Sequence, residues 1–168
     1  MVSIKTNLYQ IVASLIRNIG GDIGIKLRLH FYRCAGMKLG KNVVIREGVM
    51  FYGPYNIEIG DYSAIGYGSV MSASKKIQLE KDVHFGPHCS IYDNSHILPT
   101  GNEVDVKEIK IGDRTWLGSS AIVLKGVKIG KNVTVGAGSV VTKNVPDNMV
   151  VVGVPAKPLK KNKLYRKQ

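Results

Sequence analysis

The sequence predicts an all-β solenoid, and two features of residues 111–141 carry this prediction. An aliphatic residue recurs every six positions, and the residue two places before each of them is also small or apolar. Glycine follows the aliphatic residue directly in four of the six units. Such a period is typical of a parallel β-helix, in which each unit makes one short strand and one corner. The aliphatic residues are Ile111, Leu117, Val123, Ile129, Val135 and Val141.

The same pattern predicts where the side chains point. Alternate residues of a strand share a face, so the aliphatic residue and the residue two places before it should both point into the coil. The glycines fit the corners, because glycine tolerates positive φ and close packing of backbone on backbone. The coil therefore needs no other hydrophobic core.

Residues 1–38 precede the repeat and are predicted to form a helical cap. Apolar residues between Ile4 and Ile19 recur at helical spacing, and Gly20 with Gly21 should end that helix. A second helical or mixed segment, residues 25–37, brings basic and aromatic side chains together. These are Lys26, Arg28, Phe31, Tyr32 and Arg33. Two interpretations stay open: a cap that covers the end of the coil, or a basic amphipathic face that lies on anionic lipid.

Residues 39–146 are predicted to form the coil itself. The phase of the repeat restarts near residues 59, 79, 111 and 129, which gives about five coils. The step from Leu79 to Ile111 is too long for one coil, so a loop must leave the coil within residues 93–107. That stretch is rich in Asn, Ser, Pro, Thr and Gly, as loops are. Residues 147–168 are expected to close the other end with a short strand followed by a small helix or an extended basic tail.

The composition limits the partners. The chain has 24 Lys and Arg against 12 Asp and Glu, a net charge of +12, which favours an anionic partner or simply a basic surface. No nucleic-acid-binding motif accompanies the charge, so we expect no nucleic acid. The chain has neither a signal-peptide plan nor a membrane-spanning run, which predicts a cytoplasmic protein. The amphipathic alternative for the N-terminal segment would make it peripheral to the inner face of the membrane.

Candidate chemistry lies at the root of the inserted loop. His96 is suited to general base catalysis near neutral pH, and Asp93 either orients its imidazole or caps the turn that opens the loop. Together with His84 and His88 these residues could suggest a metal site, but their spacing does not match that of the β-helical carbonic anhydrases, so no metal is expected. His88 should point outward from its strand, and Cys89 should be a small residue of the core.

Four segments then resemble a known family: Ser95-His96, IGDRTWLGSSAIVLKGVKIG, VGAGSVVTKNVP and VGVPAKPL. Their order is similar to that of the hexapeptide-repeat acetyltransferases, in particular the sugar O-acetyltransferases of the maltose and galactoside type and those of capsule and lipopolysaccharide biosynthesis. The resemblance implies a left-handed coil, acetyl-CoA as the acyl donor without a metal, and a homotrimer with three active sites. It also implies a sugar or lipid-linked saccharide as the acceptor.

The resemblance assigns roles to single residues. His96 matches the catalytic histidine, Ser119 matches the position whose backbone N–H lies near the thioester oxygen, and Trp116 matches a tryptophan that borders the acceptor groove. Further positions match residues that line the donor or meet its phosphates. These are Ala137, Thr142, Lys143, Lys157 and Lys160.

The acceptor side departs from the galactoside type. Gly66 and Ser74 stand where that enzyme has an asparagine and an acidic residue, and Ile97-Leu98-Pro99 replaces His-Pro-Leu. We therefore expect O-acetylation of a sugar hydroxyl in a surface polysaccharide or its precursor. The alternatives are N-acetylation of a nucleotide-linked amino sugar, acetylation of serine or of an antibiotic, and a non-catalytic or metal-binding scaffold.

Overall fold

The computed structural model describes residues 4–97 and 103–162. Two helices come first, α1 (Ile4–Arg17) and α2 (Gly21–Cys34), and nineteen strands follow. In chain order the strands are β1 (Lys38–Leu39), β2 (Val44–Ile45), β3 (Met50–Tyr52), β4 (Ile57–Ile59), β5 (Ala64–Ile65), β6 (Val70–Ser72), β7 (Ile77–Leu79), β8 (His84–Phe85), β9 (Ser90–Tyr92), β10 (Asn94–His96), β11 (Val104–Val106), β12 (Ile109–Ile111), β13 (Trp116–Leu117), β14 (Ile122–Val123), β15 (Lys128–Ile129), β16 (Thr134–Val135), β17 (Val140–Val141), β18 (Met149–Val152) and β19 (Lys157–Lys161).

Three parallel sheets form the walls of a left-handed β-helix. The first sheet has the order β1-β4-β7-β12-β15, the third has the order β17-β14-β9-β6-β3, and each contributes one strand to each of five coils. The second sheet runs β19-β18-β16-β13-β8-β5-β2. Strands of successive coils pair in register, as Ile59 does with Leu79 and Ile111 with Ile129. The predicted number of coils and the predicted restarts are therefore confirmed.

The core is a column of aliphatic side chains inside the coil. All six repeat residues from Ile111 to Val141 are buried, and so are the residues two places before them. Cys89 belongs to this column, as predicted; burial raises the pKa of its thiol to about 11, and the Sγ atom donates to the carbonyl of Gly118. Burying apolar surface at about 25 cal/mol per Å² is the main source of stability for such a coil.

The sequence suggested two reasons for glycine at the corners, a positive φ and close packing of backbone on backbone. Only close packing applies to the glycines of the repeat. A Cβ atom on Gly86 would lie 2.6 Å from the amide nitrogen of Ser119, and one on Gly118 would lie 2.5 Å from that of Ala137. These glycines are required because successive coils touch there. Positive φ occurs elsewhere, and one corner carries it on larger residues. The residues of that corner are Asn42, Tyr62, Asp82, Arg114, Asn132 and Asn148.

The two helices pack on the first coils as a helical hairpin. Tyr9 donates a hydrogen bond to the carbonyl of Phe51 at 2.9 Å, and Tyr32 is buried with its ring edge-on to Phe51. The apolar stripe predicted for α1 is divided by this packing. Ala13 is buried, whereas Leu8 and Leu15 remain mostly exposed. None of the helices that the structure describes is long and apolar enough to cross a membrane.

The end of the chain extends the second sheet. Strand β18 pairs in parallel with β16, and β19 returns antiparallel beside β18. Of the two expectations for the segment after the first strand, the extended chain is the one that the structure shows through Asn162. Three further basic residues of the predicted tail, Lys163, Arg166 and Lys167, lie outside the described residues.

Candidate active site

The predicted site residues lie at two different corners of the triangular coil. The loop corner joins the third sheet to the first and contains residues 93–97, 103–107, 124–126 and 142–144. The Ser119 corner joins the second sheet to the third and contains residues 86–89, 118–121 and 136–139. A full side of the triangle, the third sheet, separates them within one chain.

The inserted segment is an ordered ribbon at its base rather than an irregular loop. Strands β10 and β11 pair antiparallel, with Asn94 opposite Val106 and His96 opposite Val104. His96 is exposed at the last pair, so its imidazole is presented beyond the wall of the coil. An extra antiparallel pair holds a side chain at a fixed distance more firmly than a free loop would.

Asp93 anchors the ribbon to the previous coil. Its carboxylate is fully buried and accepts hydrogen bonds from the N–H groups of Ser74, Lys75 and Lys76 at 2.7–3.0 Å. Both oxygens thus bind a turn of backbone in the preceding coil. The side-chain amide of Asn94 adds bonds to the hydroxyls of Ser72 and Ser74.

A second set of contacts fixes the ribbon from the following coil. The ammonium of Lys125 lies 2.7 Å from a carboxylate oxygen of Asp105 and also donates to the hydroxyl of Ser95, the residue before His96. The hydrogen bond from Lys125 lowers the pKa of Asp105. Both strands of the ribbon are thus tied to the coil next to His96. Thr142 and Lys143 lie exposed at this same corner, two coils further along the axis.

The Ser119 corner has no inserted segment, and its residues Ser119 and Ala137 form an exposed ridge along the coil. Ser119 and Ala137 occupy equivalent exposed places in successive coils, and the N–H of Gly138 donates to the carbonyl of Ser119 at 2.8 Å. Within residues 4–97 and 103–162, the N–H groups of Ser119 and Ala137 donate no hydrogen bond. Two N–H groups without a partner, on residues that are exposed, are suited to bind carbonyl oxygens of a ligand.

Trp116 stands beside this ridge on the outer face of the second sheet. Its ring stacks on His84, with centroids 5.9 Å apart and an interplanar angle of 19°. Nε2 of His84 lies 2.7 Å from Oδ1 of Asp82, so the imidazole is held from both sides. A cleft of about 360 Å³ borders this group, and Thr134 of the next coil lines it as well.

Neither His84 nor Asp82 was expected to join this group. The sequence could have predicted this contact, because the register of the repeat places Trp116 next to His84 in successive coils when the inserted segment is left out. His88 is exposed as expected, but it lies at a corner with a φ of 60° rather than on a strand.

The two predicted phosphate-binding lysines lie on β19. Lys157 pairs with Val152, whose side chain packs where a Cβ atom on Gly136 would be, so Lys157 continues the ridge of Ser119 and Ala137. Lys160 pairs with Val150, which stacks in the row of Thr134 and Trp116. Both lysines are exposed. Across residues 4–97 and 103–162, no three His, Cys, Asp or Glu side chains converge on a point that could hold a metal ion.

Comparison with known proteins identifies the family. The family described as bacterial transferase hexapeptide (six repeats) matches residues 108–143. WcaF of Escherichia coli, assigned as a colanic acid biosynthesis acetyltransferase, is 29% identical over 161 residues, which are 92% of this chain and 85% of that protein. WbbJ of Escherichia coli, assigned as a lipopolysaccharide biosynthesis O-acetyl transferase, is 31% identical over 85% of this chain and 74% of that protein.

A solved structure agrees with both relatives. A hexapeptide-repeat-containing acetyltransferase of Vibrio cholerae, complexed with acetyl coenzyme A, superposes with a TM-score of 0.83. It is 27% identical, and the match covers 96% of this chain and 91% of that one. Sequence identity, shared length and fold therefore agree, and this chain belongs to the hexapeptide-repeat acetyltransferase family.

Proposed function

We propose that the protein transfers the acetyl group of acetyl-CoA to a sugar hydroxyl of a surface polysaccharide or of its lipid-linked precursor. The observation that carries this proposal is the pair of complementary corners: an exposed histidine on an anchored ribbon, and a ridge with two unpaired N–H groups. The Vibrio cholerae structure supports acetyl-CoA as the donor. The assignments of WcaF and WbbJ support a saccharide acceptor, and that of WbbJ supports transfer to oxygen.

The proposed reaction uses His96 as the general base. Its imidazole removes the proton of the acceptor hydroxyl while that oxygen attacks the thioester carbonyl carbon. The carbonyl oxygen becomes an oxyanion, which the N–H of Ser119 stabilises, because a preorganised donor gains most where charge develops. The C–S bond then breaks, and the imidazolium returns the proton to the departing thiolate. Atoms and charge balance without a metal or a redox partner.

The donor would lie along the Ser119 corner. Its slender pantetheine arm fits against Ala137, where a larger side chain would project into the groove. Lys157 at the end of the same ridge and Lys160, in the neighbouring row of Trp116 and Thr134, would meet the phosphates, since ammonium groups are good partners for phosphate oxygens. Trp116, stacked on His84, forms the wall of the acceptor groove.

The separation of the two corners makes the homotrimer part of the proposal. His96 and Ser119 lie at different corners of one triangle, so they can meet only when the loop corner of one chain faces the Ser119 corner of the next. A heterologous contact of this kind closes into a three-membered ring when each chain is rotated by a third of a turn from the last, and three chains would then give three equal sites. Thr142 and Lys143 would approach the donor from the same chain as His96.

The proposal assigns a role to each segment of the chain. Residues 39–146 form the catalytic coil with its inserted segment 93–107, residues 1–38 form the cap, and residues 147–168 close the coil and add basic groups for the donor. We place the protein in the cytoplasm, as the sequence predicts.

The test is release of free coenzyme A thiol from acetyl-CoA in the presence of a panel of sugars and sugar nucleotides, some with a free amine. Release that depends on a hydroxyl acceptor supports the proposal. Release that requires the amine would replace it by N-acetylation. Saturable acetyl-CoA binding without any transfer across the panel would leave the donor site correct and the acceptor class wrong, and absence of acetyl-CoA binding would overturn the whole proposal.

A further inference from the structure

The helical hairpin exposes more apolar surface than its packing on the coil explains. Six large aliphatic side chains on α1, α2 and the turn between them are 37–71% exposed. They are Leu8, Ile11, Leu15, Ile19, Ile23 and Leu27, and we call them the aliphatic face. Scattered apolar residues on a surface need no explanation, but a contiguous group of this size usually contacts a partner.

The face is contiguous because the two helices are antiparallel and touch along their length. Tyr9 stacks on Phe31 with ring centroids 5.4 Å apart, and Leu8, Phe31 and Cys34 line one shallow depression. On α1 the exposed residues follow one another at intervals of three and four, which places them on one side of a helix. On α2, Ile23 and Leu27 have the same spacing.

Buried contacts hold this face outward. Arg28 is fully buried beneath α2, and its guanidinium donates to the carbonyls of Ile16, Arg17 and Ile19 at the end of α1. Its Nε atom donates to the carbonyl of Ile45 in the coil. One side chain thus ties both helices to β2, so the aliphatic face cannot turn inward without breaking these bonds.

Basic residues border the aliphatic face. Lys26 and Arg33 are exposed along α2, and Arg17 ends α1. Among the described side chains of the two helices, only that of Asp22, in the first turn of α2, is acidic. An apolar face bordered by cations matches a bilayer whose surface carries anionic headgroups.

We propose that the aliphatic face docks on an anionic lipid bilayer. A protein partner fits the composition less well, because protein interfaces and their hot spots are enriched in Trp, Tyr and Arg, whereas this face consists of Leu and Ile alone. Aliphatic side chains gain as much from lipid tails as from a protein core, and the bordering cations gain from the headgroups. This docking is independent of the acetyl transfer proposed above, and it would bring the coil to a lipid-linked acceptor.

The experiment is flotation of the full chain with vesicles of phosphatidylcholine alone or of phosphatidylcholine with phosphatidylglycerol. Binding to the anionic vesicles, weakened by salt and much lower on neutral ones, is expected. Leu15→Ser with Ile23→Ser should reduce partitioning about tenfold or more, because two exposed side chains no longer enter the acyl region. Both residues are about 70% exposed, so the fold should be retained.

The matched control is Tyr62→Asn, which removes an exposed apolar side chain from a corner of the coil and should leave partitioning unchanged. The mass of each variant is measured without lipid. Three outcomes would overturn the proposal: no binding to anionic vesicles, equal binding by the double variant, or a double variant of lower mass, since the face would then join copies of this chain. The acetyl-CoA affinity of the double variant should equal that of the unchanged chain, which separates this test from that of the donor site.

Discussion

The loop corner and the Ser119 corner show two ways in which one coil can present chemistry. At the loop corner the chain leaves the coil, and polar side chains hold it: Asp93 binds the backbone of residues 74–76, and Lys125 holds Asp105. At the Ser119 corner no segment is inserted, glycines let successive coils touch, and within the described residues the N–H groups of Ser119 and Ala137 have no acceptor. A base must stand out from the wall of the coil and uses the first arrangement, whereas an oxyanion or a pantetheine arm lies against backbone and uses the second.

The largest effect is expected at the tip of the loop corner. His96→Ala should reduce turnover by about 10²–10⁴-fold, the usual contribution of a general base, with little change in the dissociation constant of acetyl-CoA. Steady-state kinetics and calorimetric titration check the two quantities. His30→Ala, which removes another exposed histidine, is the control. If His96→Ala were as active as the unchanged chain, the general base would not lie at the loop corner.

The next effect concerns the anchor of that corner. Asp93→Ala should lower the free energy of unfolding by about 3 kcal/mol, because three backbone N–H groups lose a carboxylate acceptor. Denaturant unfolding measures this. Asp93→Asn retains part of the bonding and should lose less stability, with turnover falling in proportion. If Asp93→Asn kept full stability and lost turnover, then Asp93 would act on His96 rather than on the turn.

At the Ser119 corner a smaller effect is expected. Lys157→Ala should weaken acetyl-CoA binding several-fold and make it less sensitive to salt, because an exposed ammonium contributes modestly and is screened. Lys161→Ala, four residues further along the same strand, is the matched control. Calorimetry at two salt concentrations checks both. An unchanged affinity would mean that the phosphates of the donor lie elsewhere.

The smallest effect concerns the wall between the two substrates. Trp116 is the single tryptophan of the chain, so its emission reports on this wall directly. His84→Ala removes the ring that stacks on it and should shift the emission to longer wavelength as water reaches the indole. Acetyl-CoA should still change the emission of this variant. An emission maximum that His84→Ala does not move would contradict the stacked wall.

The two corners also differ in how far the sequence predicts them. The ridge follows from the six-residue period alone, since the period fixes the register and the register stacks Ser119 under Ala137. The loop corner does not follow, because Asp93 binds residues 17–19 positions earlier and the pattern contains no trace of a hydrogen bond. The sequence could therefore name both roles of Asp93 but could not choose between them.

The same physical limit explains the other differences. Periodicity identifies apolar residues on α1, but it does not tell how wide a face the coil covers, so the split between Ala13 and Leu15 was not predictable. The strand β19 depends on pairing with β18, which is a tertiary contact, and the extended tail and the small helix were equally consistent with the local sequence. Trp116 and His84 were predictable in principle, because the register alone brings them together.

The measurement that tests the divided site most directly is acetyl-CoA binding by mixed trimers. Ala137→Arg blocks the Ser119 corner and Lys143→Glu reverses a charge at the loop corner, so trimers of either variant alone should bind the donor much more weakly than the unchanged trimer. Co-expressed, tagged mixed trimers contain one place where an unaltered loop corner faces an unaltered Ser119 corner. We predict binding of about one acetyl-CoA per three chains in the mixed trimers. If the mixed trimers bound no acetyl-CoA, both corners would be needed in the same chain. That result would contradict a site shared between neighbouring chains.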